Sequence, residues 1–268
     1  MSMFENFFKN MRRKRNRRLL EKAHRNRASR MEYMITDDVT FEVAEAFRNF
    51  KAALTVSMPR KQSDKGVAVM MTSACPEDGK TTVTVNLALM LAMSEAKVVL
   101  VDADVRKGRV ARYFHKKSAP GLADYLSGLA SLDDVTNQAE ENENLSYITC
   151  GTHSPRPYEL LESEEMSNLL QELKQKYDYI IIDTPPLLLV SDALALVPSV
   201  DGAVLVCRHE VTYVSDIARS LNKLEFAKAK VLGVVVNDYK ARENLVNTKY
   251  DRYKYYTYTY NSEEEPKA

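Results

Sequence analysis

Nine consecutive residues, Ala74-Cys75-Pro76-Glu77-Asp78-Gly79-Lys80-Thr81-Thr82, carry the types and spacing that bind a phosphate chain. They follow the template Gly-x-x-x-x-Gly-Lys-Ser/Thr, with Ala74 in the first place. In that pattern backbone N–H groups at a helix start surround the phosphates, the Lys80 ammonium reaches the terminal ones, and the Thr81 hydroxyl serves Mg2+. Two further apolar runs end in acids: Val98–Val101 leads into Asp102-Ala-Asp104-Val-Arg106, and Ile180-Ile-Ile leads into Asp183-Thr-Pro185-Pro186. A single acid after a strand is as readily a turn residue or helix cap. Three of them behind a phosphate loop are a means of holding a cation and the terminal phosphate. Cys75 has no histidine near it in sequence and reads as a spacer of the loop, not as a nucleophile.

Something must hold these groups together. Short runs rich in β-branched residues occur at Val67–Thr72, Val98–Val101, Tyr179–Ile182, Ala203–Val206 and Val231–Val236, with helical patterning between them. Near-continuous apolar strands alternating with helices predict an α/β fold, a doubly wound and mostly parallel sheet covered on both faces. In such a sheet ligands bind beyond the carboxyl ends of the strands, where the loop and the three acids fall. A helix is expected around residues 40–56, then a polar linker Pro59–Gly66, and the phosphate loop opens a helical stretch Thr82–Met93. The chain reads as a basic arm (1–36), a catalytic domain with its leading helix (37–240) and a tyrosine-rich tail (241–268) expected to be flexible.

Taken together, the loop around Gly79-Lys80-Thr81, the Asp102-x-Asp104-x-Arg106 strand end and the Ile-Ile-Ile-Asp183-Thr-Pro-Pro strand end resemble the three Walker-type motifs of bacterial tyrosine kinases of the capsule and exopolysaccharide type. The resemblance covers about residues 38–260 and includes Pro157-Tyr-Glu159-Leu-Leu, Ser191-Asp192-Ala and Asp201-Gly-Ala-Val-Leu-Val in the same order. It implies a P-loop NTPase fold of the deviant-Walker, Min/Par-like kind, working with ATP and Mg2+. Gly79, Lys80, Thr81 and Thr82 would meet phosphate and metal, Asp183 the metal, and Asp102 and Asp104 the metal and the attacking hydroxyl, one of that pair acting as base. Arg106 would stabilise phosphate charge or bridge protomers, with a salt bridge inside the domain as the rival. Asn237, ending Gly233-Val-Val-Val-Asn237, would contact adenine, with a turn-forming role as the rival. The family's loop has glycine where Glu77 stands; Glu77 and Asp78 put two acids at an anion site, harmful if they face phosphate and harmless if they face solvent. Glu45-Ala-Phe-Arg48-Asn-Phe-Lys51 resembles the family's Glu-x-x-Arg-x-x-Arg oligomerisation motif with lysine in the last place, which implies a ring-like homo-oligomer.

Six of the 15 tyrosines, Tyr250, Tyr253, Tyr255, Tyr256, Tyr258 and Tyr260, lie in the tail. The resemblance makes them autophosphorylation sites offered to an adjacent subunit, where each phosphate would add about −1.5 to −2 charges. An aggregation-prone tail and a platform that stacks on single-stranded nucleic acid are the rivals for that segment. Residues 1–30 carry eleven Lys/Arg against Glu5 and Glu21, so the arm is +9 and the rest of the chain −8 within a total of +1. Phe4, Phe7, Phe8 and Met11 share one helical face ahead of Arg12-Arg-Lys-Arg-Asn-Arg-Arg, which suits an anionic membrane surface. RNA is the competing partner, and nucleic acid is the less favoured of the two. The family adds a separate transmembrane activator of the polysaccharide co-polymerase type. Cys75, Cys150 and Cys207 suggest neither a disulfide framework nor a zinc site, and no apolar run approaches a membrane span or a signal peptide, so the expected place is the cytoplasm, peripheral at the inner membrane face. Two other functions share these features: a Min/Par-type positioning ATPase, which would carry a second lysine where Cys75 stands, and a catalytically weak nucleotide-binding scaffold.

Overall fold

Side chains of a strand alternate between its two faces, so a strand that is apolar throughout must be covered on both. A computed structural model describes Met34, Val39 and the ranges 41–58 and 66–239, and within these residues the apolar runs do form such a sheet. Its strands are β1 (Val67–Ser73), β2 (Val98–Asp102), β3 (Thr136–Gln138), β4 (Leu145–Ile148), β5 (Tyr179–Asp183), β6 (Gly202–Arg208) and β7 (Val231–Asn237), in the spatial order β3-β4-β2-β5-β1-β6-β7. All neighbours are parallel except β3, which runs antiparallel to β4. Each of the five apolar runs falls in a strand. The β3–β4 hairpin is additional: Thr-Asn-Gln carries no apolar signal, and β4 is only four residues long.

Around the sheet lie α1 (Phe41–Ser57), α2 (Lys80–Ala92), α3 (Val110–Tyr113), α4 (Leu122–Leu126), α5 (Leu132–Val135), α6 (Pro157–Glu162), α7 (Glu164–Lys176), α8 (Asp192–Ala195) and α9 (Val214–Phe226). The period-two alternation divides the core into two layers. Val69 and Met71 of β1, Val98 and Leu100 of β2, and Tyr179 and Ile181 of β5 pack on the α2 side. Ala68, Met70, Val99, Val101, Ile180 and Ile182 pack on the opposite side, against Leu161 and the Met166, Leu169, Leu170 and Leu173 ridge of α7. Helix α2 is buried almost all round because α1 and the residue that follows it close its outer side through Leu54 and Met58. Asp201, at the turn into β6, accepts from the Ala68 N–H at 2.8 Å and pairs with Lys174 at 2.7 Å, tying β1, β6 and α7 together.

The chain divides after Asn237 into a unit ending there and a second unit from Asp238. The basic arm apart from Met34, the linker before Gly66 and the tail tyrosines lie outside the described residues. Among the described residues, no helix is long and apolar enough to cross a membrane. The centre of β2 carries the sheet's packing: Leu100 is fully buried between α2 and the neighbouring strands. Leu100→Ala is expected to lower stability by about 2–5 kcal/mol, read as a fall in the urea midpoint at unchanged slope.

Candidate active site

The loop between β1 and α2 is shaped by left-handed backbone at two residues, Glu77 with φ 72° and Gly79 with φ 84°. Gly79 is required on two counts, since a side chain there would also collide with the Asn237 amide. Glu77 occupies the place where the resembling family has glycine, and it adopts the glycine-favouring conformation at a cost of about 1–2 kcal/mol. Ala74, in the template's first glycine position, is buried and not in a left-handed conformation, so its methyl group brings no such cost.

Asp78 does not face phosphate or solvent, the two situations expected of it. Its carboxylate turns inward, one oxygen accepting from the Cys75 N–H at 2.8 Å and the other from the Thr212 hydroxyl at 2.7 Å. Burial raises its pKa, opposed by these hydrogen bonds. The Asn237 amide donates to the Asp78 carbonyl at 3.0 Å, and Arg208 donates to the Glu77 carbonyl at 3.4 Å. The ends of β6 and β7 and the turn after β6 thus hold the loop in shape from outside. The Asn237 amide braces the loop backbone, a contact not expected for it from sequence. Cys75 is kept protonated, chiefly by partial burial and then by Asp78 and Asp216, which fits a spacer.

Directly behind the loop sit the acids. Lys80 pairs with Asp183 at 2.5 Å, both side chains almost fully buried. The Thr81 hydroxyl donates to the other Asp183 oxygen at 2.8 Å and Thr84 to the first at 3.1 Å. On the adjacent strand, Asp102 is in register with Asp183 and wholly buried. Its oxygens accept from the backbone N–H groups of Asp104 (3.2 Å) and Val110 (3.0 Å). Burial, and then the Asp183 charge, push its pKa up to about 8. Asp104 is partly exposed, and burial raises its pKa too, against the pull of Lys80. Lys80, Thr81, Asp102, Asp104 and Asp183 are thereby brought to one place. Thr82 lies beside them, sharing a 2.6 Å hydrogen bond with Tyr113.

Hydroxyl and carboxylate oxygens are the hard donors that Mg2+ prefers. The fit has an electrostatic sign: two carboxylates side by side, one with raised proton affinity, form a pocket short of positive charge. Among the described residues no three His, Cys, Asp or Glu side chains make a self-sufficient metal centre. A cation here would share its coordination with phosphate oxygens, as Mg2+ commonly does.

Other expected residues lie apart from this cluster. Arg106 takes the intradomain salt bridge, forking onto Asp192 of α8 at 2.5 and 3.1 Å. On α1, Glu45 and Arg48 pair with each other at 2.8 Å, and Lys51 donates to Ser94 at 2.6 Å. The six tail tyrosines are outside the described residues. Thr212 and Tyr113 were not singled out from sequence; Asp78 was marked for its charge but not for the inward contacts it makes, and Asp192 lay in a segment already marked. Asp78→Ala would leave the Cys75 N–H and the Thr212 hydroxyl unsatisfied. It is expected to cost about 1–3 kcal/mol in chemical denaturation and to weaken binding of a fluorescent ATP analogue.

With that geometry, comparison with known proteins is informative. A family model described as an AAA domain matches residues 77–231. Tyrosine-protein kinase YwqD of Bacillus subtilis (strain 168) is 34% identical over 235 residues, which are 87% of this chain and 94% of that protein. Tyrosine-protein kinase ptk of Acinetobacter johnsonii is 33% identical over 203 residues, 76% of this chain; the match spans only 27% of that longer protein. Among solved structures, the kinase domain of Escherichia coli tyrosine kinase ETK superposes with a TM-score of 0.71 at 30% identity, covering 82% of this chain and 88% of that one.

Proposed function

This chain belongs to the bacterial tyrosine-protein kinases, built on an AAA domain, and from that premise we propose that it transfers the γ-phosphoryl group of ATP to tyrosines of its own C-terminal cluster, Tyr250 to Tyr260, in another copy of itself. The observation that carries this reading is the buried Lys80–Asp183 pair with Asp102 in register beside it, all at the mouth of the phosphate loop. Loop N–H groups around Gly79 and the start of α2 bind the phosphates, and Lys80 offsets their charge. Thr81, Asp183 and Asp102 would hold Mg2+, which when bound neutralises phosphate charge. The tyrosyl oxygen bonds to the γ-phosphorus as the bond to the ADP oxygen breaks, and the tyrosyl proton passes to a carboxylate. Asp104 suits that last role best, because it is partly exposed whereas Asp102 is wholly buried with both oxygens accepting backbone N–H groups; Asp104 also accepts one, from Lys107 at 3.0 Å.

The wider reading follows from the resemblance. α1 supplies the contact of a ring-like homo-oligomer, with the exposed Glu45–Arg48 pair as the part most open to a neighbour. The kinase acts at the inner membrane face, with its basic arm on anionic lipid, switched by a transmembrane activator, and regulates capsule or exopolysaccharide synthesis. A positioning ATPase is disfavoured because the place of its second lysine holds the protonated thiol of Cys75. A weak scaffold is disfavoured because Asp78 turns away from the phosphate side.

Mass spectrometry of the full chain incubated with ATP and Mg2+, alone and with an activator fragment, tests the reading. Phosphate is expected on the tail tyrosines and should fall by about 10²–10³-fold in Lys80→Met. ATP hydrolysis without phosphotyrosine under either condition would overturn it. Asp104→Asn is expected to lower kcat by about 10²–10⁴-fold while the KM for ATP stays within a few-fold.

A further inference from the structure

Outside its arm the chain is net −8, yet residues 105–123 contain six cations and no acid. Arg106 forks onto Asp192, and Lys107, Arg109, Arg112, Lys116 and Lys117 are exposed as it is. Their backbone is firmly held. Val110 N–H donates to Asp102, the Tyr113 hydroxyl meets Thr82 of the phosphate loop, and Phe114 stacks on Tyr147 with ring centroids 4.0 Å apart and planes 5° from parallel. Val110, Ala111, Tyr113 and Phe114 are therefore buried, and the residues between and around them turn their charge outward. Lys116 meets Glu140 at 3.2 Å. The segment begins immediately after Asp104 and the Lys107 N–H donates to the Asp104 carboxylate at 3.0 Å, so the basic run starts at the residue proposed to receive the acceptor's proton.

The chain carries a segment of complementary charge: Glu263-Glu264-Glu265, beginning three residues after Tyr260. We propose that this basic segment docks the Glu263–Glu265 run of a second copy and so delivers the tyrosine cluster to the site. The inference rests on the proposed phosphorylation between copies and adds to it the element that selects the acceptor. Extended chain spans about 3.4 Å per residue, which puts Tyr260 within about 10 Å of the docked run and Tyr250 at up to about 45 Å. Tyr258 and Tyr260 are therefore phosphorylated first. Exposed charges about a Debye length apart are strongly screened, so the contact acts on acceptor encounter and not on the chemical step.

The test pairs a full-length donor whose six tail tyrosines are changed to Phe with a full-length Lys80→Met acceptor. Lys107→Gln, Arg112→Gln and Lys117→Gln are combined in the donor, and Glu263→Gln, Glu264→Gln and Glu265→Gln in the acceptor. Either set should raise the acceptor KM about three- to tenfold at low salt, leave kcat within about twofold, and abolish the early preference for Tyr258 and Tyr260. The two sets together should do no more than one alone, and high salt should erase the difference. An unchanged KM, or fully additive effects, overturns the docking. Anisotropy of a labelled peptide of residues 246–268 on the full chain without ATP separates the two readings. Charge-dependent peptide binding with no phosphate transfer in any pair keeps the docking and removes the kinase; phosphate transfer with charge-independent binding does the reverse. If the donor substitutions instead weaken flotation with phosphatidylglycerol vesicles and leave peptide binding unchanged, the segment is a membrane contact and the docking is overturned.

Discussion

Everything at the site follows from the cost of burying a carboxylate. Asp183 ends a strand that is enclosed on both faces, and an ion stripped of water there is tolerated only with a partner and a full set of hydrogen bonds. Lys80, Thr81 and Thr84 provide these, and all three come from the first turns of α2. The helix is in this way fastened to the sheet at the end where phosphate binds. Asp102, one strand further along, has only backbone N–H partners beside a like charge, and its displaced pKa registers the imbalance. The deficit is what makes the pocket suited to a cation accompanied by phosphate, and the same arrangement leaves Asp104 partly exposed beside it.

A second layer of support comes from distant parts of the chain. Thr212, Arg208 and Asn237 reach the phosphate loop from β6, β7 and the turn after β6, so the loop's shape depends on strands joined to it only late in sequence. Arg106 does similar work on the other flank, where its fork on Asp192 links the segment after β2 to α8. Both sets of contacts use planar or branched groups that fix direction as well as distance, which a catalytic loop needs more than raw stability.

Much of this was legible in the residues alone. The apolar runs that became β1, β2, β5, β6 and β7 declared a buried parallel sheet, and the loop and strand-end acids declared their common edge. What escaped notice did so for physical reasons. The β3 strand is half-exposed and polar, so no hydrophobic period marks it. Asp78 read as an acid beside an anion because sequence gives a side chain's charge but not the direction it faces. The fate of Arg106 hung on a partner 86 residues away, and that of Asn237 on a loop 159 residues earlier; such separations leave no local pattern. On α1 the triplet of charges was visible, but the pull of Ser94 on Lys51 was not.

The contact between Gly79 and the Asn237 amide has a consequence for how such a protein can change over generations. Position 79 cannot gain a side chain while Asn237 stays as it is, because the space above the glycine is already filled by the amide that braces the loop. A shorter residue at 237 would open room at 79 but release the brace, and the left-handed backbone would still resist any β-carbon. The two positions are therefore coupled: a change at 79 must be accompanied by one at 237, and that change gives up the brace.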